Sequence, residues 1–166
     1  MKKIVLIIAM VALTTAVFAE NLEDVGTIRL SGTVDKNVSI AVSGLNDYDN
    51  LDLTIDVSDL AVVAVTETSN VREGYTVSLN SANATTGTTE NAFFLGLEGG
   101  EQLSYNITYD NVPVTFTAGS AEVTNANAKT GLNGQDRVLT ISYSAAEAHL
   151  GNDLYSDDLT FTITAK

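Results

Sequence analysis

Five aspartates between residues 47 and 59 form the densest set of potential ligands in the chain. Carboxylate oxygens are the ligands that Ca²⁺ prefers, and a calcium site needs about six to eight oxygens. The spacing does not match an EF-hand loop, because no glycine occupies its middle and the twelfth residue from Asp47 is Ser58. We interpret the group as a solvated acidic edge that discourages wrong strand pairing, and we predict no metal site. Its members are Asp47, Asp49, Asp52, Asp56 and Asp59.

No set of residues has the spacing of a known catalytic site. His149 is the only histidine, and no partner at a recognisable spacing can be named for it as a general base. Asp157 and Asp158 could form a carboxylate pair of the kind used by hydrolases, but a structural role at the start of a strand is the better interpretation. Nucleophile-elbow and glycine-rich phosphate-loop patterns do not occur. We predict that the protein is not an enzyme and uses no cofactor.

The six tyrosines fall into two groups. Tyr48 and Tyr155 lie outside regular apolar rows and could stack on sugars. The other four fall on the apolar side of alternating segments and are predicted core residues. They are Tyr75, Tyr105, Tyr109 and Tyr143.

Charge and cysteine content exclude several classes of function. The chain carries 8 Lys and Arg against 21 Asp and Glu, a net charge of −13. Such a polyanion repels phosphate backbones and anionic lipid surfaces, so we expect no nucleic-acid partner. The chain has no cysteine, so disulfides, thiolate chemistry and cysteine metal sites are excluded.

The N-terminus has the three parts of a secretory signal peptide. Lys2 and Lys3 precede an apolar run, and the run ends at the small-x-small pattern of residues 17–19. A retained anchor is the alternative, but the strongly apolar part is short for a bilayer, which needs about 20 residues. Cleavage after Ala19 leaves residues 20–166 as a single domain with six basic residues against 21 acidic ones, a charge of −15.

Most of the remaining sequence alternates apolar and polar residues with period two, as strands with one buried face do. The Asp110-Asn111 pair predicts a two-residue turn, because both residue types tolerate positive φ. Only residues 144–150 have helical composition. We predict an antiparallel immunoglobulin-like β-sandwich of about nine strands, with a closed barrel as the alternative. The segments with strand patterns, counting the possible first strand at 28–34, cover residues 28–34, 38–43, 51–58, 60–65, 75–80, 92–97, 103–109, 112–117, 139–143 and 159–164.

Three segments in this order resemble the spore coat protein U family, which includes pilin subunits of the archaic chaperone–usher pathway. They are residues 65–83 (VTETSNVREGYTVSLNSAN), 103–111 (LSYNITYDN) and 155–164 (YSDDLTFTIT). The resemblance implies an incomplete immunoglobulin-like sandwich, whose groove is filled by a periplasmic chaperone and then by the N-terminal strand of the next subunit. Many members carry a disulfide near the first strands, and residues 35–39 of this chain do not.

The resemblance assigns roles to two apolar rows. The donor strand would be residues 25–34, with Ile28, Leu30, Gly32 and Val34 pointing inward. The acceptor groove would lie beside another row, Leu159, Phe161 and Ile163. The alternative is that residues 25–34 form the first strand of a self-contained monomer.

Two functions follow as expectations. The first is a structural subunit of a bacterial surface filament or coat, assembled by strand donation. Its partners would be like subunits, with a periplasmic chaperone and an outer-membrane usher. The second is a monomeric exported β-sandwich that binds cell-wall or host glycans. Both imply export to the periplasm, the cell surface or the medium.

Overall fold

A computed structural model describes residues 28–46, 48–84, 91–145 and 150–166. The predicted signal peptide and His149 lie outside these residues. The chain divides after Val34 into two units, which are described separately. In the first unit, residues 28–34 have no regular secondary structure, so the strand predicted for them is not observed. The side chains of Ile28, Leu30 and Val34 are 85%, 91% and 88% exposed.

The second unit is all-β, as predicted. Its described residues form ten strands and no helix, and none of them belongs to a helix that could cross a bilayer. The strands are β1 (Val38–Gly44), β2 (Val57–Ser69), β3 (Tyr75–Ser81), β4 (Ala92–Gly96), β5 (Gln102–Tyr109), β6 (Val112–Pro113), β7 (Ser120–Ala126), β8 (Gln135–Tyr143), β9 (Tyr155–Ser156) and β10 (Leu159–Ala165).

Two antiparallel sheets make the sandwich. The larger sheet has the order β1-β2-β8-β5-β4-β9, with β6 pairing with β5. The smaller sheet has the order β10-β3-β7. β1 and β10 are therefore edge strands of different sheets. They lie next to each other, but no hydrogen-bonded ladder joins these two described strands.

The core lies between the inward rows of the two sheets. Val65, Val77, Leu79 and Leu139 are completely buried. The four tyrosines predicted for the core are also buried, at 2–6% exposure. Period-two alternation is clearest in β3, where Tyr75 to Ser81 alternates between buried and partly buried positions. Burial of such apolar rows is the main source of stability for a chain without disulfides.

Two local backbone features were set by residue type. Asp110 and Asn111 have φ values of 51° and 64°, so the predicted tight turn between β5 and β6 is confirmed. Gly74 precedes β3 with φ of 99°, and a Cβ there would lie 1.9 Å from the carbonyl oxygen of Ala126. Only glycine fits this approach of the β3 and β7 ends.

The strand predicted for residues 51–58 was wrong over its first part. Residues 51–56 form turns, and β2 begins at Val57. The Asp52 carboxylate accepts hydrogen bonds from the backbone N–H of Thr54 at 3.0 Å and from its hydroxyl at 2.5 Å. Such a local side-chain bond competes with the ladder of a strand.

Two further strand predictions need correction. β7 was not predicted, because its inward positions are only Ala121, Val123 and the polar Thr124. The predicted strand 112–117 shrinks to β6 of two residues. The helical segment predicted at 144–150 lies mostly outside the described residues.

Candidate functional site

An open groove runs between the edge strands of the two sheets. Its volume is about 1640 Å³. One wall comes from the larger sheet and the other from β10 and the chain before it. The main apolar lining residues are Ile40, Val42, Val62, Leu139, Ile141, Leu159 and Phe161.

The β10 rim presents both side chains and backbone groups to this groove. The Asp158 carbonyl accepts a hydrogen bond from the Ala82 N–H at 3.0 Å, and the Lys166 N–H donates to the Gly74 carbonyl at 3.1 Å. The backbone N–H and C=O groups of even-numbered β10 residues therefore point to β3, and those of odd-numbered residues point to the open groove. Leu159 and Phe161 are odd-numbered, and their half-buried side chains pack against the core.

The β1 rim has the same arrangement. The Asn37 carbonyl accepts from the Asn70 N–H at 3.1 Å, and the Leu45 N–H donates to the Val62 carbonyl at 2.9 Å. The backbone groups of odd-numbered β1 residues therefore point to β2, and those of even-numbered residues point to the gap between β1 and β10. Ile40 is one of these, and its side chain also points to the core.

The two rims run in opposite directions. The Lys36 ammonium donates to the Lys166 carbonyl at 2.8 Å, so the start of β1 lies beside the end of β10. A strand inserted between the rims would be antiparallel to one and parallel to the other.

The hydrogen-bonding pattern of the rims requires this same combination. In antiparallel pairing, a residue whose backbone groups point to the partner strand bonds the residue opposite it. In parallel pairing, the opposite residue turns its own backbone groups away. On both rims, the residues whose side chains point to the core turn their backbone groups to the gap. In an inserted strand, the residues whose side chains point to the core can turn their backbone groups to only one rim. The register of the two rims matches an extended segment with an alternating apolar row, although β1 and β10 themselves lie next to each other.

The residues predicted for strand donation divide between the two units. Leu159, Phe161 and Ile163 all lie on β10, with partly buried side chains. Ile28, Leu30, Gly32 and Val34 lie in the first unit and are exposed. No observation tests whether the second row enters such a groove, so donation remains a prediction.

Asp157 holds the start of β10 in place. Its carboxylate accepts hydrogen bonds from the Ser81 hydroxyl at 2.7 Å, the Tyr105 hydroxyl at 2.7 Å and the Asn83 N–H at 3.1 Å. Burial and the nearby Asp157 charge raise the pKa of Tyr105 well above its usual value. Asp157 thus ties β3 and β5, from different sheets, to the β10 rim.

Glu67 is a buried carboxylate that the sequence analysis did not single out. It is 0% exposed and accepts hydrogen bonds from the hydroxyls of Tyr109 at 2.7 Å, Thr124 at 2.7 Å and Tyr75 at 2.9 Å. The Arg137 Nε lies 3.9 Å away. Burial and the hydrogen bond to Glu67 raise the pKa of Tyr75 to about 12.

The inward direction of the Glu67 side chain could be predicted from the alternation of β2. It has the same parity in β2 as the buried Val65, so its side chain had to point inward. Because its hydroxyl partners lie on β3, β5 and β7, Glu67 joins strands of both sheets.

Two aspartates of the acidic group, Asp52 and Asp56, accept hydrogen bonds from nearby turns and loops. Hydrogen bonds from Thr54 lower the pKa of Asp52, and Asp56 accepts from the Ala145 N–H at 2.7 Å. Asp47 lies outside the described residues. Among the residues that are described, no three His, Cys, Asp or Glu side chains are grouped closely enough to hold a metal ion.

The two tyrosines considered for sugar stacking both line the groove. Tyr48 is 52% exposed. The Tyr155 hydroxyl donates to Glu101 at 2.7 Å, and burial together with this bond raises the pKa of Tyr155 to about 12. Their sugar-binding role stays a prediction.

No family model and no curated protein matches the chain, so the resemblance to the spore coat protein U family is not confirmed. Two solved structures are similar at low identity. One is the DraE adhesin in complex with chloramphenicol succinate, 14% identical, covering 82% of this chain and 99% of that chain, with a TM-score of 0.45. The other is HdaB, the E. coli Hda pilus minor tip subunit, 11% identical, covering 80% and 85%, with a TM-score of 0.39. At this distance the likeness establishes neither a family nor a function.

Proposed function

We propose that the protein is a structural subunit of a bacterial surface filament or coat, assembled when residues 25–34 of one copy, the arm, fill the groove of another. The observation that carries the proposal is the open groove with inward-facing apolar rows on both rims. Its partners are like subunits, preceded in the groove by a periplasmic chaperone and guided by an outer-membrane usher. Assembly takes place after export, at the cell surface.

The arm has the pattern that such a groove accepts. Ile28, Leu30 and Val34 recur at every second or fourth position, so one face of an extended arm is apolar. Gly32 on the same face adds no side chain. Peptide strands that add to a sheet edge gain affinity from main-chain bonds and specificity from alternate side chains.

The expected gain is large enough to drive assembly. Burying one large aliphatic side chain contributes about 1.5–3 kcal/mol, so the three exposed ones contribute about 5–9 kcal/mol. A whole domain is stable by only about 5–15 kcal/mol. A subunit with an empty groove would therefore be much less stable than an assembled one.

A charge scan of the arm tests the proposal in the mature chain, residues 20–166. Leu30→Asp places a charge on the inward face, and Ser31→Asp places the same charge on the outward face. We expect Leu30→Asp to abolish self-association in sedimentation velocity, while Ser31→Asp assembles like the parent. A synthetic peptide of residues 25–34 should raise the unfolding temperature of Leu30→Asp, and the same peptide with aspartate at position 30 should not.

Equal assembly of Leu30→Asp and Ser31→Asp would reject strand donation, as would unchanged folding and assembly after deletion of residues 20–34. A stable monomer that binds sugars on a glycan array would favour the alternative of a monomeric glycan-binding module. The half-exposed Tyr48 in the groove would then be the first residue to replace.

A further inference from the structure

One asparagine holds the backbone that leads into β1. The Asn70 side chain accepts a hydrogen bond from the Asn37 N–H at 2.7 Å and donates to the Asp35 carbonyl at 2.8 Å. The Asn70 backbone N–H donates to the Asn37 carbonyl at 3.1 Å. Residues two apart in an extended chain point their backbone groups to the same side. These contacts therefore hold residues 35–37 extended, in line with β1.

The sequence at 35–37 also permits a different path. Asp-Lys-Asn is turn-forming, since aspartate and asparagine bond their own backbone and tolerate positive φ. A three-residue turn would fold the arm back as a hairpin, antiparallel to β1. In that register Val34 pairs with Val38, Gly32 with Ile40 and Leu30 with Val42, so the apolar rows of arm and strand share one face.

The fold-back hairpin would compete strongly with assembly. A short connection converts binding into an intramolecular event with an effective concentration near the millimolar range. A second copy of the chain rarely reaches that concentration. Some feature of the subunit must therefore disfavour the hairpin if assembly is to occur.

We propose that Asn70 is a positioning residue that prevents the arm from filling its own groove and so reserves it for a second copy of the chain. This inference rests on the proposed function. A turn at 35–37 reorients the Asp35 carbonyl and the Asn37 N–H, so both side-chain bonds of Asn70 must break first. The Lys36 ammonium adds a weaker restraint through its 2.8 Å bond to the Lys166 carbonyl.

A designed disulfide detects the hairpin directly, because the natural chain has no cysteine. In the hairpin register, Thr33 and Ser39 lie opposite each other on the outward face, at a non-hydrogen-bonded position where Cβ atoms approach closely. A fully extended chain from residue 33 to residue 39 would hold the same residues about 20 Å apart. The Thr33→Cys, Ser39→Cys pair therefore oxidises within one chain only when the arm folds back.

The experiment compares oxidation rates of this double-cysteine chain with Asn70 intact and with Asn70→Ala. The linked 33–39 peptide is quantified by mass spectrometry. Loss of two hydrogen bonds should raise the intramolecular rate about tenfold. The matched control is Asn106→Ala, at an exposed asparagine of β5, and it should leave the rate unchanged. Asn70→Asp, which keeps the acceptor for Asn37 and removes the donor to Asp35, should also raise the rate.

The outcomes separate the two proposals. Equal rates in the parent, Asn70→Ala and Asn70→Asp chains would overturn the role of Asn70, while the charge scan of the arm could still support strand donation. A tenfold increase with Asn70→Ala, accompanied by fewer assembled subunits in sedimentation velocity, is the expected result. Circular dichroism of each variant shows whether the sandwich is retained, and Asn70→Asp serves as the readout if Asn70→Ala does not fold.

Discussion

The Glu67→Gln substitution probes the buried hydrogen-bond cluster between the two sheets, here called the polar lock. Its members are Glu67, Tyr75, Tyr109, Thr124 and Arg137. Glutamine has the same shape as glutamate, so its carbonyl oxygen can keep the hydroxyls of Tyr109 and Thr124 as donors. Its amide group then faces the Tyr75 hydroxyl and the buried Nε of Arg137. The Arg137 Nε has no hydrogen-bond partner among the described residues, and its ion pair with Glu67 spans 3.9 Å. The substitution therefore removes one charge and leaves its neighbours in place.

The magnitude follows from the number of bonds. A hydrogen bond to a charged group contributes about 1.5–3 kcal/mol, and one between neutral groups about 0.5–1.5 kcal/mol. Three hydroxyl bonds each lose roughly 1 kcal/mol. Arg137 loses its ion pair with Glu67 and keeps the one with Asp110. We expect the free energy of unfolding to fall by about 3 kcal/mol, a large share of the roughly 5–15 kcal/mol of a typical domain.

Urea unfolding at pH 7 measures this loss. The chain has six tyrosines and no tryptophan, so tyrosine fluorescence and far-ultraviolet circular dichroism are the signals. With an m-value of about 2 kcal/mol/M, the midpoint should fall by about 1.5 M. Glu122→Gln is the matched control, because Glu122 is exposed and accepts one bond from Asn125. It should change stability by less than about 0.5 kcal/mol.

One result would refute the reasoning. If Glu67→Gln costs less than about 1 kcal/mol, the desolvation of the carboxylate cancels its hydrogen bonds, as happens for many buried ion pairs. Glu67 would then set the geometry of the lock without stabilising it.

Two further predictions concern neighbouring groups. Asp157→Asn should lower the free energy of unfolding by about 2 kcal/mol, because its carboxylate accepts three hydrogen bonds. The same change at the exposed Asp158 should have little effect. Equal losses at both positions in urea unfolding would contradict the role of Asp157 in holding β10. Because the folded-state pKa of Tyr75 is raised to about 12, its contribution to stability is full below pH 10 and is lost as the pH rises toward 12. Tyr75→Phe should flatten the fall in unfolding midpoint between pH 10 and 12, and a slope unchanged from that of the Tyr48→Phe control would argue against this assignment.

The strands with strong apolar rows could be predicted from the sequence, and so could the Asp110-Asn111 turn. β3 and β10 alternate β-branched, aromatic and aliphatic residues with threonine, serine or asparagine, so period and propensity agree. Residues 51–56 have the same alternation, but there the Asp52 side chain bonds Thr54 and forms a turn. β7 was missed because its small and polar inward residues give little hydrophobic signal.

The polar lock could not be predicted because its partners are distant in sequence. Tyr109 and Thr124 follow Glu67 by 42 and 57 residues, and only the sandwich brings them to one carboxylate. The groove was expected from a resemblance. The backbone groups that β1 and β10 turn to the groove are set by strand register, and a pattern of apolar residues does not predict register.

Two carboxylate clusters, buried at Glu67 and partly buried at Asp157, tie the two sheets together beside the groove. Glu67 joins β2 to β3, β5 and β7, and Asp157 joins the start of β10 to β3 and β5. Hydrogen bonds are directional, so these ties fix the spacing and register of the sheets in a way that non-directional apolar contacts do not. The ties set the position of the β10 rim, which under the proposed function is the edge that receives a strand from another copy.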